Sequence, residues 1–128
     1  MYELSKGETL IGRKFYTRCG GKGANQAVAI TKLALNKNAV RFVSTIGDDS
    51  NGMDLLSNFK RVGMNTECVI VCENISTGVA TICIDEKGEN SIIVVPGANA
   101  CFSPSVVRVK IEIEIEMKIK KLTDSLIV

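Results

Sequence analysis

The sequence predicts an α/β fold, with helices laid on the faces of a sheet, and a small antiparallel sheet set apart from those layers. Three observations carry this. β-rich runs alternate with helical periodicity through residues 8–72, the order expected of crossover units. A glycine cluster at residues 20–23 falls between the first β-rich run and the first helical pattern. Two later β-rich runs are joined by a short charged turn, which is the pattern of a hairpin and not of a crossover.

Taken in order, residues 8–17 (ETLIGRKFYT) read as a strand interrupted by Gly12. After the glycines, Ala24, Ala27, Val28 and Leu35 recur at helical spacing in a stretch rich in good helix formers. The polar break at 36–38 precedes residues 39–46 (AVRFVSTI), whose β-branched content and length suit a buried strand. Met53, Leu55, Leu56, Phe59 and Val62 define the apolar face of a second helix, and Gly63 stands where a left-handed C-terminal cap would fall. Residues 68–72 (CVIVC) form a third β-like run. Residues 77–85 and 91–95 flank Glu86-Lys87-Gly88-Glu89 as a hairpin that, with the first strand, could act as a flap.

From 107 to 120 the alternation is strict. Val107, Val109, Ile111, Ile113, Ile115, Met117 and Ile119 fall on one parity; Arg108, Lys110, Glu112, Glu114, Glu116, Lys118 and Lys120 fall on the other. Period two argues for a strand with one wet face. Ser103-Pro104 is a good helix start, however, and Glu114 with Lys118 and Glu116 with Lys120 are favourable helical pairs. The alternation makes a strand the expectation, with a helix left open.

Composition narrows the function. The 128 residues suit a single domain, and 45% hydrophobic with 23% charged residues excludes disorder. Sixteen Lys and Arg against 14 Asp and Glu leave a net charge of +2, so nucleic acid held by bulk charge is not an expected partner. No apolar run approaches the roughly 18 residues a bilayer span requires, and MYELSKGETL lacks signal-peptide character, so a cytoplasmic chain without membrane attachment is expected. Five cysteines, at 19, 68, 72, 83 and 101, make no Cys-x-x-Cys pair, and there is no histidine. The usual zinc spacings and histidine-based catalysis are thereby excluded; the thiols read as reduced and structural. Chemistry must come from carboxylates, lysine, hydroxyls, amides or backbone groups.

The glycine loop fits neither familiar phosphate-binding pattern. In a P-loop, Gly21-Lys22 would be followed by Ser or Thr, with a glycine five residues earlier; Gly23 and Tyr16 stand there instead. A dinucleotide fingerprint would need glycine where Gln26 stands. What remains is Gly21, which lets a ligand approach the main chain, Lys22 with its several donors, and Asn25 with an amide that donates and accepts. That set suits a small ligand bearing several hydroxyls. A tight strand-to-helix turn with an exposed lysine is the competing reading of the same residues.

Gly20-Gly21-Lys22-Gly23-Ala24-Asn25-Gln26-Ala27-Val28-Ala29, preceded by Gly7-Glu8-Thr9-Leu10, resembles the first signature of the ribokinase family of carbohydrate kinases. Further stretches agree in order and spacing: Thr45-Ile46-Gly47-Asp48-Asp49-Ser50-x-Gly52, Ser76-Thr77-Gly78-Val79-Ala80, Gly88-Glu89-Asn90-Ser91-Ile92 and Gly97-Ala98-Asn99. The resemblance runs over about residues 7 to 105 and implies an incomplete three-layer sandwich carrying a small antiparallel β lid. Its lid segments would be about 8–18 and 77–96. It implies transfer of the ATP γ-phosphoryl group to the 5-hydroxyl of ribose, with Gly21, Lys22 and Asn25 binding the sugar and a homodimer formed through the lid.

In that family an Asn and an Asp on a strand before Gly-Glu-Thr also touch the sugar, and a later Gly-Ala-Gly-Asp segment supplies the catalytic Asp. Neither is in this sequence, so no catalytic or metal-binding residue is assigned. ATP, Mg and a monovalent cation are expected for the complete family member, and none is expected to be bound by the residues present here. Asp48 and Asp49 match a non-catalytic turn, Ala34 replaces a usual glycine, and 107–120 departs from the family pattern. The chain alone is expected to be inactive. Two alternatives accompany this reading: a non-catalytic lid or dimerisation module, and a related fructose-phosphate or nucleoside kinase.

Overall fold

The structure, a computed structural model, describes residue 7 and residues 9–126. Three α-helices, α1 (Lys22–Leu33), α2 (Ser50–Arg61) and α3 (Pro104–Leu126), accompany four strands, β1 (Ser44–Gly47), β2 (Val69–Cys72), β3 (Val79–Ile84) and β4 (Asn90–Val95). Short 3-10 helices span Lys37–Ala39 and Gly97–Cys101.

β1 and β2 pair in parallel, Ser44 against Val69 through Gly47 against Cys72, as a crossover through α2 requires. Because side chains alternate along a strand, this register puts Ile46 and Val69 on one face and Thr45, Ile70 and Cys72 on the other. The first face meets α1 and α2: Ala27, Ile46, Phe59, Met64 and Val69 form the buried core, and Phe42 meets Phe59 edge to face at 5.5 Å. The second face meets the later chain. Thr45 Oγ1 donates to the Ala98 carbonyl at 2.8 Å, and Ile70 lines a groove with Val106, Val109 and Ile113 of α3. Burial pushes the Cys72 thiol up, and its hydrogen bond with Cys101 and that group's charge push it further. The result is a partial α/β/α sandwich, the three layers that the sequence motifs imply. None of the five cysteines is in a disulfide.

Local chemistry explains the ends of the elements. Gly21 caps α1 with φ 99°, a conformation open to glycine. Gly63 closes α2 at φ 80°, as its place in the sequence predicts. β3 and β4 pair antiparallel from Val79 against Val95 to Ile84 against Asn90. In their turn Gly88 takes φ 85°, while Asp85 Oδ1 accepts from the N–H groups of Lys87 and Glu89 at 2.8 and 2.9 Å.

Two expectations are corrected. Residues 107–120 are helical and not a strand. Val106, Val109 and Ile113, spaced three and four apart, line one groove together with Ile70 of β2, an arrangement that the helical period gives. Ser103 caps the start, its Oγ accepting from the Val106 N–H at 3.3 Å, ahead of Pro104 in the first turn. The Glu114 side chain, half of one expected helical pair, lies outside the described residues.

The expected strand at 8–17 is also absent among the described residues. Residues 9–20 run as exposed, unpaired chain whose link to the hairpin is an ion pair between Arg13 and Glu86 at 2.5 Å. β-branched and aromatic content favours a strand only where an edge is available to pair with it, and Gly12 weakens the run further. Of the expected strand 39–46, only the end pairs, as β1 over Ser44–Gly47; Ala39 belongs to the 3-10 turn and residues 40–43 lie in neither strand nor helix.

Candidate functional site

The first turn of α1 gathers the three residues singled out from the sequence. Asn25 N–H donates to the Gly21 carbonyl at 2.8 Å as the first helical bond, and no side chain caps the N–H groups that precede it. Ala24, Ala27 and Val28 turn towards the core, which leaves Lys22 and Asn25 on the exposed side of the turn. They are three residues apart and therefore neighbours on one helix face. The first turn contains no acidic residue, so its positive end is offset only by solvent. Backbone donors, an ammonium and an amide thus share one exposed helix turn beside a backbone made accessible by glycine. The arrangement can grip a neutral polyol by several hydrogen bonds; it contains no group placed to act as a base.

Asp48 and Asp49 serve structure. Asp49 caps α2: its Oδ1 accepts from the Gly52 N–H at 2.9 Å and from the Thr77 hydroxyl at 2.5 Å, and its Oδ2 accepts from the Thr77 N–H at 2.9 Å. The Thr77 hydroxyl in turn accepts from the Gly47 N–H at 2.9 Å. These bonds, the side-chain one from Thr77 first, hold the Asp49 carboxyl below the usual carboxylate range. Asp48 Oδ2 accepts from the N–H of Asn74, which sits at φ 57° in the turn after β2.

Around this clamp the backbone is packed too closely for side chains. A Cβ on Gly47 would strike the Ile75 carbonyl, one on Gly52 the Gly47 carbonyl, one on Gly78 the Asn99 amide, and one on Gly97 the Ser76 carbonyl. Three stretches far apart in sequence, 45–52, 76–80 and 97–99, therefore meet in one knot at the root of the hairpin. Sequence reasoning set Asp49 aside without seeing its partner. The signal was present, since Asp three residues before Gly52 at a helix start is a capping pattern.

The hairpin leaves this knot exposed along its whole length. Its register puts Val79, Ile93 and Val95 on one face and Ile82, Ile84, Ile92 and Val94 on the other, so both faces are apolar. Among the described residues, no hydrogen bond or ion pair joins the hairpin to the glycine loop. Nor does any group of three His, Cys, Asp or Glu side chains converge where it could hold a metal ion. No described helix is long and apolar enough to cross a membrane.

The pattern recurs in known proteins. The model of the pfkB family of carbohydrate kinases matches residues 1–116. The ribokinase of Schizosaccharomyces pombe is 43% identical over 107 residues, which is 81% of this chain and 34% of that protein. The solved ribokinase of Giardia lamblia superposes with a TM-score of 0.72 at 34% identity, covering 83% of this chain and 31% of its own. The structure of Arabidopsis thaliana ribokinase complexed with ribose and ATP matches at TM-score 0.62 and 35% identity over 73% of this chain and 30% of its own. The chain thus spans about a third of the length of the relatives it matches.

Proposed function

Since the chain belongs to the pfkB family of carbohydrate kinases, we propose that it is the sugar-binding and lid part of a ribokinase-type phosphotransferase. The complete enzyme would transfer the ATP γ-phosphoryl group to the 5-hydroxyl of D-ribose. The observation that carries this reading is the convergence of Gly21, Lys22 and Asn25 on one exposed helix turn.

A pentose offers hydroxyls that both donate and accept. The Lys22 ammonium donates to a hydroxyl oxygen, the Asn25 amide can accept from one hydroxyl while donating to another, and Gly21 lets the ring lie against the main chain. Holding the sugar in one orientation is what this site contributes to a transfer that depends on positioning. The hairpin, with 77–96 as one lid segment and 8–18 as the other, closes over the sugar and keeps water from the phosphoryl group. Its two apolar faces support a double role, one covering the sugar and the other packing on a second lid in a homodimer. ATP is the phosphoryl donor, and the Mg and monovalent cation that accompany it are not assigned to residues of this chain. The free thiols and the ATP requirement fit a cytoplasmic setting.

An ATP-dependent ribose phosphorylation assay tests the assignment. The 128 residues alone should show no turnover, and robust turnover would overturn the division of labour proposed here. Light scattering on the same sample should show a dimer, and a well-behaved monomer would count against pairing through the lid. A complete protein containing this sequence should prefer ribose over fructose 6-phosphate and adenosine; preference for either competitor would sink the ribose assignment.

A further inference from the structure

We propose that residues 113–121 of α3 are a self-association element, and that their partner is the same segment in a second copy of this chain, the two pairing as antiparallel strands about Met117. The helix leaves a mismatch. Successive residues turn by about 100°, so residues that alternate in sequence are thrown to opposite sides of a helix. One side, carrying Val106, Val109 and Ile113, lines a groove with Ile70. On the rest of the helix Ile115, Met117 and Ile119 remain 52, 57 and 56% exposed. As a strand, the same residues would share a single face. The β-branched side chains at 111, 113, 115 and 119 also lose rotamer freedom in a helix that they keep in a strand.

The charges specify the partner and the register. About Met117, Glu116 of one copy faces Lys118 of the other and Lys118 faces Glu116, so both pairs are opposite in sign. The next charges outwards, at 114 and 120, are again opposite, and between them Ile115 faces Ile119 while Met117 faces Met117. In a parallel in-register pair every one of these charges would meet its like. A two-stranded ribbon alone is marginal in water. The apolar faces of two ribbons therefore close on each other, and assembly proceeds through even numbers of copies.

Charge swapping tests this on the 128-residue chain. Wild type should associate as concentration rises, with loss of helical circular dichroism. Glu116→Lys and Lys118→Glu, each alone, should associate at least tenfold more weakly, because like charges then face each other. Mixed in equal amounts, the two variants should recover wild-type association, since each supplies the charge the other lacks. The mixing arm also guards against a variant that merely folds badly. Wild-type association in either variant alone, an equimolar mixture that stays dissociated, or assembly with the helical signal retained would each overturn the proposal. A dimer made through the hairpin would not respond to charges at 116 and 118, so the test stands apart from the lid reading.

Discussion

The carboxylate of Asp49 accepts from both the hydroxyl and the backbone N–H of Thr77, at 2.5 and 2.9 Å, across 28 residues of sequence. This pair ties the N-terminus of α2 to the root of the hairpin and so joins the α/β layers to the hairpin.

The clamp is acid-sensitive. The bonds from Thr77 and Gly52 hold the Asp49 carboxyl lower in the fold than in the unfolded chain. Its stabilising contribution is therefore complete above the unfolded carboxylate value of about 3.9 and is lost as pH falls through the lower folded value. Urea unfolding of wild type and Asp49→Asn across this range should show a steeper acid loss in wild type. Parallel curves would contradict the clamp.

Thr77 is 3% exposed and its hydroxyl serves two partners. Thr77→Val keeps the shape but strands the Gly47 N–H and removes one of the two donors to Asp49 Oδ1. A loss of about 1–3 kcal/mol in denaturant-derived stability is expected. A change within about 0.5 kcal/mol would mean that water replaces the hydroxyl.

Glycines should separate into two classes. Gly47→Ala drives a methyl into the Ile75 carbonyl and to 2.5 Å from the Thr77 nitrogen, backbone that cannot step aside. It should cost about 3 kcal/mol or prevent folding. Gly12→Ala meets nothing within 4 Å and should stay within about 0.5 kcal/mol. Thermal unfolding of the pair reads this directly, and equal midpoints would contradict the knot.

Phe59 is 2% exposed and packs edge to face on Phe42. With so few fully buried side chains in this core, Phe59→Ala should cost about 3–5 kcal/mol, enough to abolish cooperative unfolding. Retention of a cooperative transition near the wild-type midpoint would show that the core lies elsewhere.

Where a segment makes its own structure, the sequence announces it. The glycine at 63, the spacing of Leu55, Leu56 and Phe59, and the charged turn around Gly88 are local signals, and the structure answers each. The misreadings arise where a distant partner decides. Residues 107–120 alternate like a strand, but Val106, Val109 and Ile113, at helical spacing, line a groove with Ile70 of β2, and no propensity within the segment reports that neighbour. The run at 8–17 has strand composition and lacks a paired edge among the described residues. Gly21, Lys22 and Asn25 were legible as a set because a helix brings close neighbours onto one turn. The Asp49 to Thr77 clamp was not, because it spans β2 and two loops.

Lys22 and Asn25 should matter to sugar binding and little to stability, since both are exposed. Lys22→Ala and Asn25→Ala should each weaken ribose binding about three- to tenfold, the equivalent of about 0.5–1.5 kcal/mol for a hydrogen bond. The unfolding midpoint should hold. A variant that loses stability and binding together would point to the competing reading, a turn that shapes the chain and binds nothing.

The central claim, that the first turn of α1 receives ribose, is tested most directly by following backbone amide resonances of the 128-residue chain while D-ribose is added. Saturable shifts concentrated at Gly21, Lys22, Gly23 and Asn25, and abolished in Asn25→Ala, are the predicted result. Unmoved resonances at these residues, or shifts confined to α3 and the far side of the sheet, would contradict it.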